Sequence, residues 1–230
     1  RLVGSEMCIR DRGAGVNTTN AQGHTPLYAN VSKDDPDALR ALITSGADVA
    51  RMPVPKDRNE ALFTLVNQKM AHKAQLAQML LDAGANPNAK AQASINGPQA
   101  GDSLIYFAIR YHADELSSVL LKNGADPHGT SHDGESAATY CLNLRYESGL
   151  RILLDNGFDP LRVFKSSKTW HGPDGARVEE HEENARDCAR RLTEKFGTDG
   201  PYGHMLQMIE THIAAQAPAK VKVPPSPRPR

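Results

Sequence analysis

The apolar residues of this 230-residue chain fall into short helical stripes that recur at long intervals. Leu39, Leu42 and Ile43 form one, Leu76, Leu80 and Leu81 a second, and Leu116, Val119 and Leu120 a third. Their three-to-four spacing puts the side chains of each set on one helix face. Each stripe runs into the same phrase: Gly46-Ala47-Asp48, Gly84-Ala85-Asn86, Gly124-Ala125-Asp126 and, after Leu153-Leu154, Gly157-Phe158-Asp159. A fainter copy stands at Gly13-Ala14-Gly15-Val16-Asn17. The glycines at 13, 46, 84, 124 and 157 are 33, 38, 40 and 33 residues apart. Glycine stops a helix by turning left-handed, and the Asp or Asn that follows favours a turn. A period of this length predicts stacked units, each covering its neighbour's apolar face, and not one deep core.

A second helix signal lies upstream of each glycine. Thr25, Ser103 and Ser136 stand 21 residues before Gly46, Gly124 and Gly157. Thr25 and Ser136 suit helix N-caps, and Pro26 suits the first helical turn, where its missing N–H costs nothing. The phrases Gly23-His24-Thr25-Pro26-Leu27-Tyr28, Ser103-Leu104-Ile105-Tyr106-Phe107-Ala108 and Asp133-Gly134-Glu135-Ser136-Ala137-Ala138 resemble the opening of the ankyrin repeat, whose second helix ends before Gly-Ala-Asp. The resemblance covers about residues 13–216. It implies an all-α fold, an ankyrin-repeat solenoid of helix-turn-helix units with hairpin or finger loops.

The units divide as a remnant at 13–20, four units at about 21–50, 51–90, 91–130 and 131–162, an insertion at 163–181 and a C-terminal capping unit at 182–216. In the second unit Glu60-Ala61-Leu62-Phe63 replaces the usual opening, and Asn67 to Lys73 lengthens the helix pair. The connection from Asn88 to Gly101 is stretched as well. Lys165 to Gly175 is polar and rich in turn residues, which predicts a loop. In the capping unit, Ala185, Cys188, Ala189, Leu192 and Phe196 form one apolar stripe, with Glu182 and Arg186 four apart on the surface. Met205, Met208, Ile209 and Ile213 form the stripe of a last helix, backed by polar Gln207, Glu210 and His212.

Composition changes this picture at the two ends. Residues 1–11 resemble the translation of a transposase sequencing adapter, so 1–12 is set aside as an artefact and Cys8 with it. A signal peptide or an upstream domain then stays open, with a cytoplasmic location as the default. Residues 217–230 are Pro-rich and basic, with Lys220, Lys222, Arg228 and Arg230 and no acid, a composition that predicts a disordered tail. Lys+Arg and Asp+Glu number 27 each, so no net field favours nucleic acid or an anionic membrane, and no apolar run is long enough to span one.

Candidate chemistry is sparse. Ser131-His132-Asp133 contains the residue types of a catalytic triad, but neighbours in a turn cannot by themselves line up as nucleophile, base and orienter. Asp126, His128, His132 and Asp133 are metal-ligand types on one finger, but Asp126 already belongs to the Gly-Ala-Asp turn and Asp133 to the hairpin. Cys141 and Cys188 read as packed small hydrophobes. No catalytic residue, cofactor or metal is expected. The resemblance implies non-catalytic binding of another protein, as scaffold, inhibitor or immunity-type factor of bacterial origin, by a monomer, on a concave surface of fingers and first helices. A second expectation is a regulatory region at the C-terminal end of a larger enzyme or receptor. The residues proposed to meet the partner are Arg51, Lys56 and Arg58 on the second finger, Tyr111 and His112 at a helix turn, His132 on a hairpin, and Trp170 and His171 in the insertion.

Overall fold

Helix pairs account for most of the described residues. The computed structural model describes residues 15–21, 23–49, 61–67, 69–92, 98–172 and 175–216. Among these, five pairs follow one another: α1 (Pro26–Val31) with α2 (Pro36–Thr44), α3 (Ala61–Asn67) with α4 (Lys73–Asp82), α5 (Leu104–Arg110) with α6 (Asp114–Lys122), α7 (Ala137–Leu144) with α8 (Glu147–Asp155), and α9 (Ala185–Phe196) with α10 (Pro201–Gln216). The first helices pack in a row, α1 on α3, α3 on α5, α5 on α7 and α7 on α9. The second helices form a parallel row, α2 on α4, α4 on α6, α6 on α8 and α8 on α10.

Local chemistry sets these boundaries. Thr25, Ser103, Ser136 and Asn184 accept the backbone N–H three residues on, capping α1, α5, α7 and α9. At the other end, Gly46, Gly84, Gly124 and Gly157 hold φ between +85° and +95°, the left-handed stop that the sequence phrase predicts. The stripes point inward: Leu39, Leu76, Leu80, Leu116, Leu120, Leu150 and Leu153 are fully buried. No single residue of a seven- to ten-residue helix could hold it in water, so packing between the rows stabilises each one. The longer second unit is accommodated in the turn between α3 and α4, while the helices themselves keep ordinary lengths.

Three expectations need correction. The polar stretch from Lys165, expected as a loop, belongs to an antiparallel hairpin, β1 (Phe164–Gly172) with β2 (Gly175–Glu183), in register from Phe164↔Glu183 to Gly172↔Gly175. The fold is therefore mostly helical and not purely so. The polar strands carry no apolar period to reveal them; the ladder and a dock on the α6–α7 finger hold them instead. There Ser167 N–H donates to Asp133 O at 2.8 Å, and Gly134, at φ +88°, lies so close that a Cβ would come within 2.0 Å of Lys165 O. Second, Phe196 is 52% exposed, because it sits at the last residue of α9 and stacks on Tyr202 beyond the inner layer. Third, Glu182 and Arg186 find other partners. Glu182 lies in a strand and pairs with Lys165, while Arg186 and Arg190 share Glu210 across the final helix pair.

Candidate interaction surface

Two seams tie each unit to the next. On the finger side, Asn17 and Asn88 reach forward into the following Gly-Ala-Asp loop. Asn17 accepts from Asp48 N–H at 2.8 Å and donates to Gly46 O at 3.1 Å; Asn88 accepts from Asp126 N–H at 2.7 Å and donates to Gly124 O at 2.9 Å. His128 takes the same place in the next unit. Its Nε2 accepts from Asp159 N–H at 2.9 Å, so Nδ1 carries the proton and donates to Asp126 at 2.9 Å. Burial of Asp126 opposes its ionisation, but the His128 N–H, the His128 ring and Arg162 outweigh it and hold the carboxyl below its usual range. These clamps escaped the sequence reading, although Asn17, Asn88 and His128 each stand four residues after a phrase glycine.

The opposite seam runs along the turns between the helices of a pair. Asp34, His112 and Arg145 sit at the same place in three units, each in the left-handed region at φ 55°, 53° and 59°. Glycine would hold this geometry without strain, and each side chain present reaches into the next unit. Asp34 accepts from Ala71 and His72 N–H at 2.8 and 3.0 Å. The His112 ring lies 4.0 Å from that of Tyr146, and Arg145 donates to Tyr202 OH at 3.2 Å with its guanidinium over the ring.

Beside this seam the first helices present side chains to solvent. Arg110, Tyr111 and His112 lead from the last residue of α5 into the turn, and Asn143, Leu144 and Arg145 hold the matching places at the end of α7; all six are exposed, with Tyr111 at 45% and Leu144 at 53%. Tyr106 and Tyr140 meet edge to face behind them, at 5.6 Å. Glu135 anchors this wall, accepting from Tyr106 OH at 2.8 Å and Asn143 Nδ2 at 3.2 Å. Burial, with the Glu135 charge beside it, pushes the Tyr106 hydroxyl far above its ordinary value, so it stays a donor.

The remaining proposed residues separate. Arg51, Lys56 and Arg58 lie outside the described residues. Trp170 and His171 belong to β1, paired in register with Arg177 and Ala176. His132 is a latch between fingers: its N–H and Nδ1 bind Asp102 Oδ1 at 2.7 and 3.1 Å, while Gln99 N–H binds Oδ2 at 2.7 Å. Asp102 is fully buried, which makes these donors structurally necessary. Tyr111 and His112 are thus the pair that the structure gathers with further exposed groups.

No triad forms at Ser131-His132-Asp133. The Ser131 hydroxyl donates to Asp133 and accepts from Glu135 N–H, while His132 faces Asp102. Cys141 and Cys188 are buried; burial first, then the Glu183 charge, pushes the Cys188 thiol up to about 12. A thiol so protonated is a poor nucleophile. Among the described residues, no three His, Cys, Asp or Glu side chains converge on a metal position. No helix among them is long and apolar enough to cross a membrane. No protein-family model matches the chain, and no curated protein matches it.

Proposed function

We propose that the chain is a non-catalytic protein-interaction module built as an ankyrin-type repeat array, and that its partner docks along the row of first helices. The observation that carries this reading is the register of Arg110, Tyr111 and His112 with Asn143, Leu144 and Arg145. Two adjacent units present an exposed apolar side chain flanked by an exposed arginine, on helices whose cores are fully buried. Tyr and Arg are the side chains that most often dominate interface energetics. A preformed platform also spares the ordering cost that weakens flexible binders. The two-row packing and the recurring caps and glycine stops support the repeat-array part of the reading.

The test compares the wild-type chain with a Tyr111→Ala/Leu144→Ala variant as baits, followed by direct titration of any protein retained by the first. Both substitutions are at exposed positions, so the melting temperature should stay within a few degrees. Binding should weaken at least ~30-fold, the loss of about 2 kcal/mol expected of an interface anchor. A partner that binds both chains equally, or no saturable partner at all, would overturn the assignment.

A further inference from the structure

A cleft of about 600 Å3 opens where the α4–α5 finger, the α6–α7 finger and the base of β1 meet. Three cations line it, Lys90 from the α4–α5 finger and Arg162 and Lys165 from the stretch that opens β1, together with the buried side chains of Leu104, Ile105 and Phe164. The backbone of each is positioned by its own tie, and all three side chains reach solvent. Lys90 pairs with Ser103 across an antiparallel bridge. Arg162 N–H donates to Asp159 O at 3.2 Å, and its guanidinium lies 5.7 Å over the Phe164 ring. Lys165 is fixed by the close approach of its carbonyl to Gly134.

The charges in this cleft are unequal. Lys165 is paired with Glu182 at 2.6 Å. Lys90 and Arg162 have no carboxylate within ion-pair distance among the described residues. Asp126 also lines the cleft and keeps its negative charge; its Oδ1 receives the His128 N–H and Nδ1, both at 2.9 Å, and Arg162 acts on it at longer range, so two unpaired cations face one carboxylate. Unpaired cations held around one concavity raise its potential, and an entering anion relieves their repulsion without requiring the fingers to move. The volume lies within the range of ordinary ligand pockets, and apolar walls with a few convergent polar groups are their usual lining.

We propose that this cleft is a subsite for an oxyanion, a carboxylate or a phosphoryl group, carried by an acidic segment of the bound protein. The identity of the carrier rests on the interaction reading above; capture of the anion itself does not. Arginine supplies the forked donor pair that suits either oxyanion, and Lys90 supplies a point charge from the opposite finger.

Thermal melting of the full chain in glutarate, in phenyl phosphate and in chloride of matched ionic strength tests the site. For a millimolar site, about 50 mM probe should raise the melting temperature by ~5 °C over chloride. A Lys90→Met/Arg162→Met variant should lose that rise, whatever its own starting temperature, while Arg151→Met, on the groove between α8 and α10, should keep it. A response confined to phenyl phosphate assigns a phosphoryl group, and one confined to glutarate a carboxylate. No rise over chloride, or an equal rise in the double variant, overturns the subsite. If partner capture still depends on Tyr111 and Leu144 in that event, the interaction reading survives without it.

Discussion

Replacing Asn88 by alanine should loosen the joint between the second and third units without disturbing either core. The side chain makes two bonds across that joint, accepting from Asp126 N–H at 2.7 Å and donating to Gly124 O at 2.9 Å. Asn88 is exposed, so water can replace both partners and neither backbone group is left buried. Each bond then contributes about 0.5–1 kcal/mol net, and the variant should lose roughly 1–2 kcal/mol. Urea unfolding measures this loss. With a slope of about 2 kcal/mol per molar, the midpoint should fall by ~0.5–1 M. Amide exchange gives the local readout, because the Asp126 N–H loses its acceptor while amides within α5 keep theirs. Asn88→Asp is a sharper companion: it preserves an acceptor for Asp126 N–H but turns a carboxylate towards Gly124 O, and it should be no more stable than the alanine variant. A midpoint within ~0.2 M of wild type, with Asp126 exchange unchanged, would refute the clamp as an energetic link.

Two further outcomes follow from the hairpin. Glu183 binds Arg191 through two bonds of 2.9 and 3.0 Å; burial opposes its ionisation, but Arg191 and then His181 hold its pKa below the ordinary 4.5. A lowered folded-state pKa means stability present above pH ~4.5 and lost as pH falls through the folded value. Glu183→Gln should therefore cost about 1–2 kcal/mol at neutral pH, a figure reduced for the half-exposed arginine, and the gap from wild type should close in acid. A gap that stays constant across paired acid and neutral unfolding curves would contradict this. Gly134→Ala places a Cβ within 2.0 Å of Lys165 O at a backbone φ of +88°. It should lift β1 from the finger at a cost of roughly 2–3 kcal/mol and speed exchange at the Ser167 amide, and native-like protection there would show that the dock is not needed.

The helical layers were legible because they rest on local chemistry. Thr25, Ser136 and the glycines at 46, 84, 124 and 157 carry their own capping geometry, and the leucine stripes carry the helical period. Legibility failed where neighbouring units, not local pattern, decide the outcome. Polar β1 reads as a loop until Asp133 and Gly134 are placed beside it. Glu182 reads as a helix partner for Arg186 until strand register gives it to Lys165. Of the proposed contact residues, Tyr111 and His112 stand with Leu144 and Arg145 by virtue of repeat register, which the glycine spacing encodes. His132 could not be recognised as a latch, because its partner Asp102 lies 30 residues away in a finger of irregular length.

The two parallel rows of helices also make the molecule a mechanical element. Packed pairs join neighbouring units, so tension applied at the ends of the array passes serially through the clamps at Asn17, Asn88 and His128. Extension should proceed in steps, each releasing one unit of 33 to 40 residues, or about 11–14 nm of contour. The joint between the first and second complete units is held on the opposite seam, where Asp34 accepts from Ala71 and His72 N–H at 2.8 and 3.0 Å. Under load, compliance would thus be set by the few side-chain bonds that cross each joint.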